Sequence, residues 1–526
     1  MFVVINSGTV VGIDAVKVSV EVDITPSSFS FTLVGLPDIV VKESSQRVWS
    51  AISNSNLNLP RTKCVVNLAP ANLRKEGSSF DLPIALGMLV ASAQMMSARL
   101  SKTMVLGELS LDGSIRAIKG ALPLAVAAEE LGFERIILPY DNGAEAAVVD
   151  GIEVVGARSL SEVVAWANGK GTLEVMRCEE ATDIEFGEGQ FVDDFADVKG
   201  QAQAKRAFEI AAAGGHNLIM IGPPGSGKTM LSKRFPTILP PLTRSEAMET
   251  TKIYSVAGKL GVRDGVLRCR PFRSPHHLSS QVSIVGGGSS PQPGEVSLAN
   301  NGVLFLDELP EFNRSVLEVL RQPLEELSVS ISRAKYSVEY PAKFTLIASM
   351  NPCPCGYYNH PTVRCSCSEG AVQRYLGRIS GPLLDRIDLQ VEIAPVSISQ
   401  INGESEVQEE SSAEIRKRVM AARERQMQRF AGVRQVTGEG VTKEVTTNAM
   451  MSSKMLREFC PLDKQSRKIL EMAMERLQLS ARAYDRIIKV ARTIADLDER
   501  ESIVTSDISE AIGYRSLDRE SWGAKS

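Results

Sequence analysis

Residues 217–231 read NLIMIGPPGSGKTML, and their order decides the fold. Four apolar residues of strand character run into Gly222-Pro223-Pro224-Gly225-Ser226-Gly227-Lys228-Thr229, the pattern G-x-x-x-x-G-K-[ST], and a helical run follows at once. That context is the one the pattern needs. Glycines let backbone N–H groups turn inward around phosphate oxygens, and a helix N-terminus adds partial positive charge. Lys228 is then placed to neutralise β/γ phosphates, and Thr229 to offer its hydroxyl to Mg²⁺. A chance glycine loop is the alternative, and the flanking strand and helix weigh against it. The expectation is an α/β chain that binds ATP with Mg²⁺.

Two further strand-like runs supply the partners such a loop requires. NGVLFLDELPEF, residues 301–312, ends its apolar run in Asp307-Glu308. Carboxylates at a strand's C-terminal end sit where ligands bind in open α/β sheets. Asp307 suits the Mg²⁺ shell, and Glu308 can polarise an attacking water as a general base. KFTLIASMN, residues 343–351, ends in Asn351, whose amide can orient the water or touch the γ-phosphate. Arg386 lies just before another strand in SGPLLDRIDLQVEI, and Arg482 starts a helix in LSARAYDRIIKVARTIADL. Ring NTPases often use a neighbour's arginine on the transition state. By spacing alone, either arginine serves equally well as a surface ion-pair residue.

Seventeen residues, NPCPCGYYNHPTVRCSC at 351–367, hold half of the chain's eight cysteines. Cys353, Cys355, Cys365 and Cys367 form two Cys-x-Cys pairs directly after Asn351. Four thiolates can close on one structural Zn²⁺ and stiffen a loop. Cys-x-Cys is less diagnostic than Cys-x-x-Cys, and Pro354 restricts the first pair. Free reduced thiols and a redox disulfide or Fe–S site are the alternatives, with His360 as a substitute ligand. A catalytic metal is disfavoured, because four thiolates leave no open position.

The remainder bounds the organisation. At about 100–200 residues per domain, 526 residues suggest three or so domains. Residues 1–170 alternate strand-like with helical runs, 171–195 are an acidic linker, 196–395 hold the nucleotide chemistry, 396–412 form a second polar linker, and 413–526 are a helix-rich lid. No apolar run reaches the roughly 20 residues of a membrane span. The N-terminus MFVVINSGTVVGIDAVKVSV lacks a basic region and alternates like a strand, unlike a signal peptide. A cytoplasmic location with reduced thiols and no membrane partner is the expectation. A net charge of −4 means that any nucleic-acid contact must come from local basic elements.

These residues add up to a family. AAAGGHNLIMIGPPGSGKT, RPFRSPHH, GGGSSPQPGEVSLANNGVLFLDELPEF, LRQPLE, ISRA, NPCPCG, SGPLLDRIDL and SARAYDRI resemble the YifB/ComM family of magnesium-chelatase-like AAA+ ATPases, over nearly the whole chain. The resemblance implies a hexameric ring with an AAA+ core and helical lid, and an activity like that of ComM members, DNA helicases of branch migration in natural transformation. It implies sensor 1 at Asn351, a trans-acting arginine finger at Arg386 and sensor 2 at Arg482. One departure is Asn300 in SLAN, where the family often has His; little effect on hydrolysis is expected. LRKEGSSFDLPIALG and LGELSLDGSIRAIKGALPLAVAAEELGFERIILP resemble the Lon-protease domain, a ribosomal-S5-like α/β fold. Ser79 matches its nucleophile, but the lysine base falls on Leu122, with Lys119 three residues earlier. An unactivated serine is a poor nucleophile, so a non-proteolytic scaffold is expected.

DNA contacts are expected at the pore. The segment RPFRSPHHLSSQVSIVGGGSS resembles the family's helix-2 insert, and SVSISRAKYSVEYPAK, residues 328–343, its pre-sensor-1 hairpin. Arg333 and Lys335 near the hairpin turn suit phosphate contacts that carry little sequence information; an ordinary solvated turn is the alternative. His276 and His277 read as structural or hydrogen-bonding rather than metal-binding. A metal-insertion motor, a protein-remodelling ATPase and an ATP-dependent protease are the rival functions.

Overall fold

The structure is a computed structural model that describes residues 1–28, 30–60, 62–177, 192–262, 264–288, 291–333, 336–395, 409–436 and 442–515. Its N-terminal part is built on a mixed eight-stranded sheet. Strands Phe2–Val11 and Asp14–Thr25 form a hairpin around Gly12, whose φ of 67° suits the tight turn. Along Asp14–Thr25, Val18, Val20 and Val22 alternate inward and are fully buried, as the two-residue period of a strand requires. Helix Asp81–Ala91 is buried along its whole length, so its sequence, DLPIALGMLVA, is apolar nearly all round. Gly87 permits this depth: a Cβ there would meet the Val22 side chain at 2.5 Å. Glu174–Val175, within the stretch expected as linker, adds an antiparallel edge strand.

The nucleotide segment forms a second sheet of five parallel strands. Their order is Phe272–Arg273, Val303–Leu306, Thr345–Met350, Leu218–Ile221, Leu389–Glu392. LIMI and VLFL are buried at every position, the composition of strands covered on both faces. Helices Ala202–Gly214 and Lys228–Ile238 cover one face through Phe208 and Phe235. Leu309, Leu317 and Leu383 pack on the other. The strand after residue 344 inserts between those ending at Ile221 and Leu306, so three C-terminal strand ends lie side by side.

Helices Ser412–Arg429, Ser453–Phe459, Lys464–Leu477, Ala481–Leu497 and Thr505–Gly513 make up the C-terminal part. Ile487, Ala491 and Ile494 join the core of Phe208 and Leu218, so these helices share apolar interior with the nucleotide sheet. A buried polar chain crosses the junction: His216 Nδ1 lies 3.2 Å from Asp388, its Nε2 lies 2.8 Å from the Thr493 hydroxyl, and Arg486 pairs with Asp388. The N-terminal part docks on the nucleotide part through helices Ala121–Glu130 and Arg244–Ala257, where the Gly120 N–H donates to the Ser255 carbonyl at 3.1 Å.

Strands Ser328–Arg333 and Tyr336–Pro341 pair as an antiparallel hairpin. Lys335 and the side chain of Arg333 lie outside the described residues. Among the described residues, no helix is long and apolar enough to cross a membrane.

Candidate nucleotide-binding site

The loop after Ile221 takes its shape from glycine. Gly225 and Gly227 have φ of 75° and 88°, and a Cβ at either would project into open space. A loop left clear in this way has room for phosphate oxygens beside it. Gly222 is needed for the opposite reason: a Cβ there would meet the Ile393 carbonyl at 2.6 Å. The Ser226 hydroxyl donates to the Pro223 carbonyl at 2.9 Å and braces the turn from inside. Gly227 then caps helix Lys228–Ile238, whose first N–H groups face the loop.

Side chains converge on this loop from three strand ends. The Lys228 ammonium donates to the carbonyls of Gly222 and Pro223 at 2.7 and 2.9 Å and to the Asn351 amide oxygen at 3.3 Å. Burial lowers its pKa, against the pull of Asp307 and Glu308. Its direct partners are neutral oxygens, so the cation sits beside the loop with charge to spare for an anion. The Thr229 hydroxyl donates to Asp307 at 2.9 Å, and the fully buried Ser349 donates to the other oxygen of the same carboxylate. Thr229 and Asp307 thus form a hydroxyl–carboxylate pair suited to a hard divalent cation. Open glycine cradle, spare cation and oxygen donors together fit a nucleotide triphosphate with Mg²⁺.

Glu308 stands apart from Asp307. Its backbone has φ 54°, which turns it out of line with the strand, and its side chain is 54 % exposed. The carboxylate lies 3.7 Å from His277 Nδ1, and the His277 ring packs against His276 with centroids 4.1 Å apart. A base that must meet water needs such access.

The two arginines lie elsewhere. The Arg386 side chain is 6 % exposed, pairs with Glu325 and donates to the Pro382 carbonyl of its own chain. It lines a cavity of about 640 Å³ with Gln281, Gly286, Glu318, Arg321 and Ser330. Arg482 is 63 % exposed and lies 3.8 Å from Asp385. Neither is hydrogen-bonded to the phosphate loop of its own chain. Asn300 is fully buried: its amide donates to Glu249 at 2.7 Å and its oxygen accepts from the Lys343 N–H at 2.8 Å, a tie between helix Arg244–Ala257 and the segment leading into strand Thr345–Met350.

Cys353, Cys355, Cys365 and Cys367 come together as expected from their spacing, with all four sulfurs within 4.8 Å of one another. Three of the separations are 3.3, 3.5 and 3.7 Å. A disulfide needs about 2.0 Å, whereas a tetrahedron with metal–sulfur bonds of about 2.3 Å has edges of about 3.8 Å. The arrangement can hold a metal. His360 is not in it: its Nδ1 accepts from the N–H groups of Thr362 and Val363 at 3.2 and 3.0 Å. Burial pushes the thiols of Cys355 and Cys365 up, but hydrogen bonds from the Tyr357 and Ser366 N–H groups and from Cys353 and Cys365 together outweigh it at Cys355 and hold that thiol at about 5, while Cys365 rises to about 12.

Several contributors escaped the sequence. Ser349 read as strand interior, although a hydroxyl two residues before Asn351 in an apolar run was a signal. His277 is thirty-one residues from Glu308 and reaches it only through the fold. Tyr375, on helix Glu369–Leu376, is hydrogen-bonded to the Asn351 backbone. In the N-terminal part, Leu122 is fully buried with its N–H 3.4 Å from the Ser255 hydroxyl. Lys119 packs against Gly258 of the nucleotide part.

A glycine loop between strand and helix, with lysine, threonine and aspartate gathered around it on a parallel sheet, defines the P-loop nucleotide-binding class. Comparison with known proteins narrows this. Residues 194–401 match the family described as magnesium chelatase, subunit ChlI, residues 20–142 match subunit ChlI of Mg-chelatase, and residues 409–515 match the subunit's C-terminal family. The chain is 43 % identical to the uncharacterized protein YifB of Escherichia coli, over 98 % of this chain and 97 % of that one. It is 42 % identical to competence protein ComM of Haemophilus influenzae, over 98 % of each. An uncharacterized Mycobacterium tuberculosis protein, Rv2897c, is 40 % identical over 96 % of each. The chain belongs to the YifB/ComM family of magnesium-chelatase-like AAA+ ATPases.

Proposed function

We propose that the protein is a Mg²⁺-dependent, ATP-hydrolysing ring motor, six copies to the ring, that binds and remodels DNA as a ComM-like branch-migration helicase in the recombination of incoming DNA. The observation that carries the nucleotide half is the convergence of Lys228, Thr229, Asp307 and Asn351 on one open loop, with Glu308 exposed beside it. The DNA half is supported by full-length similarity to a competence protein.

In this reading residues 222–229 cradle the triphosphate and Lys228 neutralises it. Thr229 and Asp307 would hold Mg²⁺, which supplies charge neutralisation on the phosphates when bound. Glu308 takes a proton from the attacking water, and Asn351 orients that water. Arg386 acts across the subunit boundary on the neighbour's γ-phosphate, and Arg482 acts as sensor 2. The hairpin bearing Arg333 and Lys335 contacts DNA phosphates in the pore. Residues 1–170 are a non-proteolytic scaffold joined to the core, 196–395, and to the lid from 413 onward. The four-cysteine cluster carries structural Zn²⁺, and the protein works in the cytoplasm.

The test is the ATPase rate of purified protein with and without single-stranded, duplex and branched DNA, with Glu308→Gln as the blank. Stimulation by DNA, greatest for branched forms and absent in the blank, is expected; loss of a general base costs about 10²–10⁴-fold. ATPase activity indifferent to every DNA but stimulated by unfolded protein would replace this reading with protein remodelling.

A further inference from the structure

The cysteine cluster does not hang off the molecule. It touches the phosphate loop by two routes. The first is steric: Gly356, which follows Cys355, lies so close to Pro224 of the loop that a Cβ at 356 would stand 2.6 Å from Pro224 Cδ and 2.8 Å from its Cγ. Gly356 has φ 85°, and its N–H donates to the Cys353 carbonyl at 3.0 Å, so the turn that makes this contact is closed inside the cysteine segment. The second route is along the chain. Cys353 and Pro352 are buried, and the next residue back is Asn351, whose amide oxygen accepts from Lys228. Val372 and Leu376 pack against the sulfurs, while Tyr375 of the same helix is bonded to the Asn351 backbone.

The cluster's surroundings suit a metal more than four free thiols. The Cys367 N–H lies 3.4 Å from Cys365 Sγ. The Tyr358 hydroxyl is buried with no partner among the described residues and belongs to the same packed group.

We infer that Zn²⁺ held by Cys353, Cys355, Cys365 and Cys367 braces the phosphate-binding loop, pressing Gly356 on Pro224 and fixing Asn351 at Lys228, so that metal occupancy sets nucleotide affinity. This inference rests on the zinc and ATP readings proposed for the two sites. Free thiols would let the 353–367 segment relax, and both contacts with the loop would loosen together. The metal touches no phosphate; it is a positioning element.

The experiment measures bound zinc per chain, and the affinity for a fluorescent ATP analogue by titration, on the full chain purified under reducing conditions. One zinc per chain is expected. Stripping it with a chelator at constant far-ultraviolet circular dichroism should weaken the analogue about tenfold or more, and added Zn²⁺ should restore it. Cys355→Ser with Cys365→Ser should lose zinc and affinity together, beyond rescue by Zn²⁺. Gly356→Ala keeps all four thiols and should retain zinc while weakening the analogue, which covers the case in which the cysteine variant fails to fold. Absence of zinc, or thiols that react with a disulfide reagent in the folded protein as fast as in the unfolded one, would overturn the metal. Zinc present but affinity unchanged on its removal would overturn the brace and leave the metal standing. Failure of the ATP reading looks different: native zinc-bound protein would not bind the analogue at all.

Discussion

Charge is buried beside both large sheets, and at Asp81 and Lys228 it is treated in opposite ways. Beside the N-terminal sheet, Arg47 grips the buried Asp81 with two hydrogen bonds of 2.6 and 3.0 Å. Each of these two charges is answered by the other. Beside the nucleotide sheet, Lys228 hydrogen-bonds only carbonyl and amide oxygens and feels Asp307 and Glu308 without a direct ion pair, and Glu308 is about half in solvent. Unspent charge marks the place where a substrate completes the structure; answered charge marks architecture.

The contrast can be broken by substitution. The largest effect is expected at Lys228→Ala, which should abolish hydrolysis, by about 10³-fold or more, while leaving thermal stability unchanged or raised, since a desolvated cation disappears. A drop in melting temperature matching the loss of activity would mean that Lys228 is structural after all. Next comes Asp388→Asn at the junction with the C-terminal helices. There burial pushes the carboxyl up, but the Arg486 guanidinium and the His216 hydrogen bond outweigh it and hold Asp388 well below the usual carboxylate range. A depressed carboxyl contributes stability that is full above its unfolded value and lost progressively as pH falls from there through its folded value. Denaturant unfolding at pH 7 should therefore show a loss of about 4 kcal/mol, and the gap to the native chain should begin to narrow below about pH 4 and close only as pH falls through the depressed folded value.

A smaller effect is expected at Arg47→Ala, about 3 kcal/mol, because Asp81 is left alone in the interior. Affinity for nucleotide per folded molecule should not move; if it does, the two sheets are coupled more tightly than their separate cores suggest. The smallest is Ser79→Ala, which should change neither ATPase rate nor peptide hydrolysis. Peptide cleavage that is lost in this variant would revive the protease.

Much of the open site was legible because its parts are local. Gly222 to Thr229 is one uninterrupted stretch, and Asp307, Glu308 and Asn351 each terminate an apolar run, so strand periodicity alone placed them at one edge. The cysteines were legible by their density. What the chain order hid were meetings made by the crossovers: Gly356 on Pro224, His277 beside Glu308, Glu325 beneath Arg386. Strand order is set by how the helices pack, and no spacing along the sequence reports which strand becomes whose neighbour. Lys335 and the Arg333 side chain, the proposed DNA contacts, lie outside the described residues and stay with the proposal.

The left-handed backbone at Glu308 has a consequence of its own. A non-glycine residue at φ 54° is held in a conformation that its side chain disfavours by about 1 kcal/mol or more. Glycine would relax that bend, and a carboxylate cannot be had from glycine. Selection for heat resistance alone would therefore pull position 308 away from glutamate, and only selection for turnover would keep it; the residue records which of the two pressures the chain has been answering.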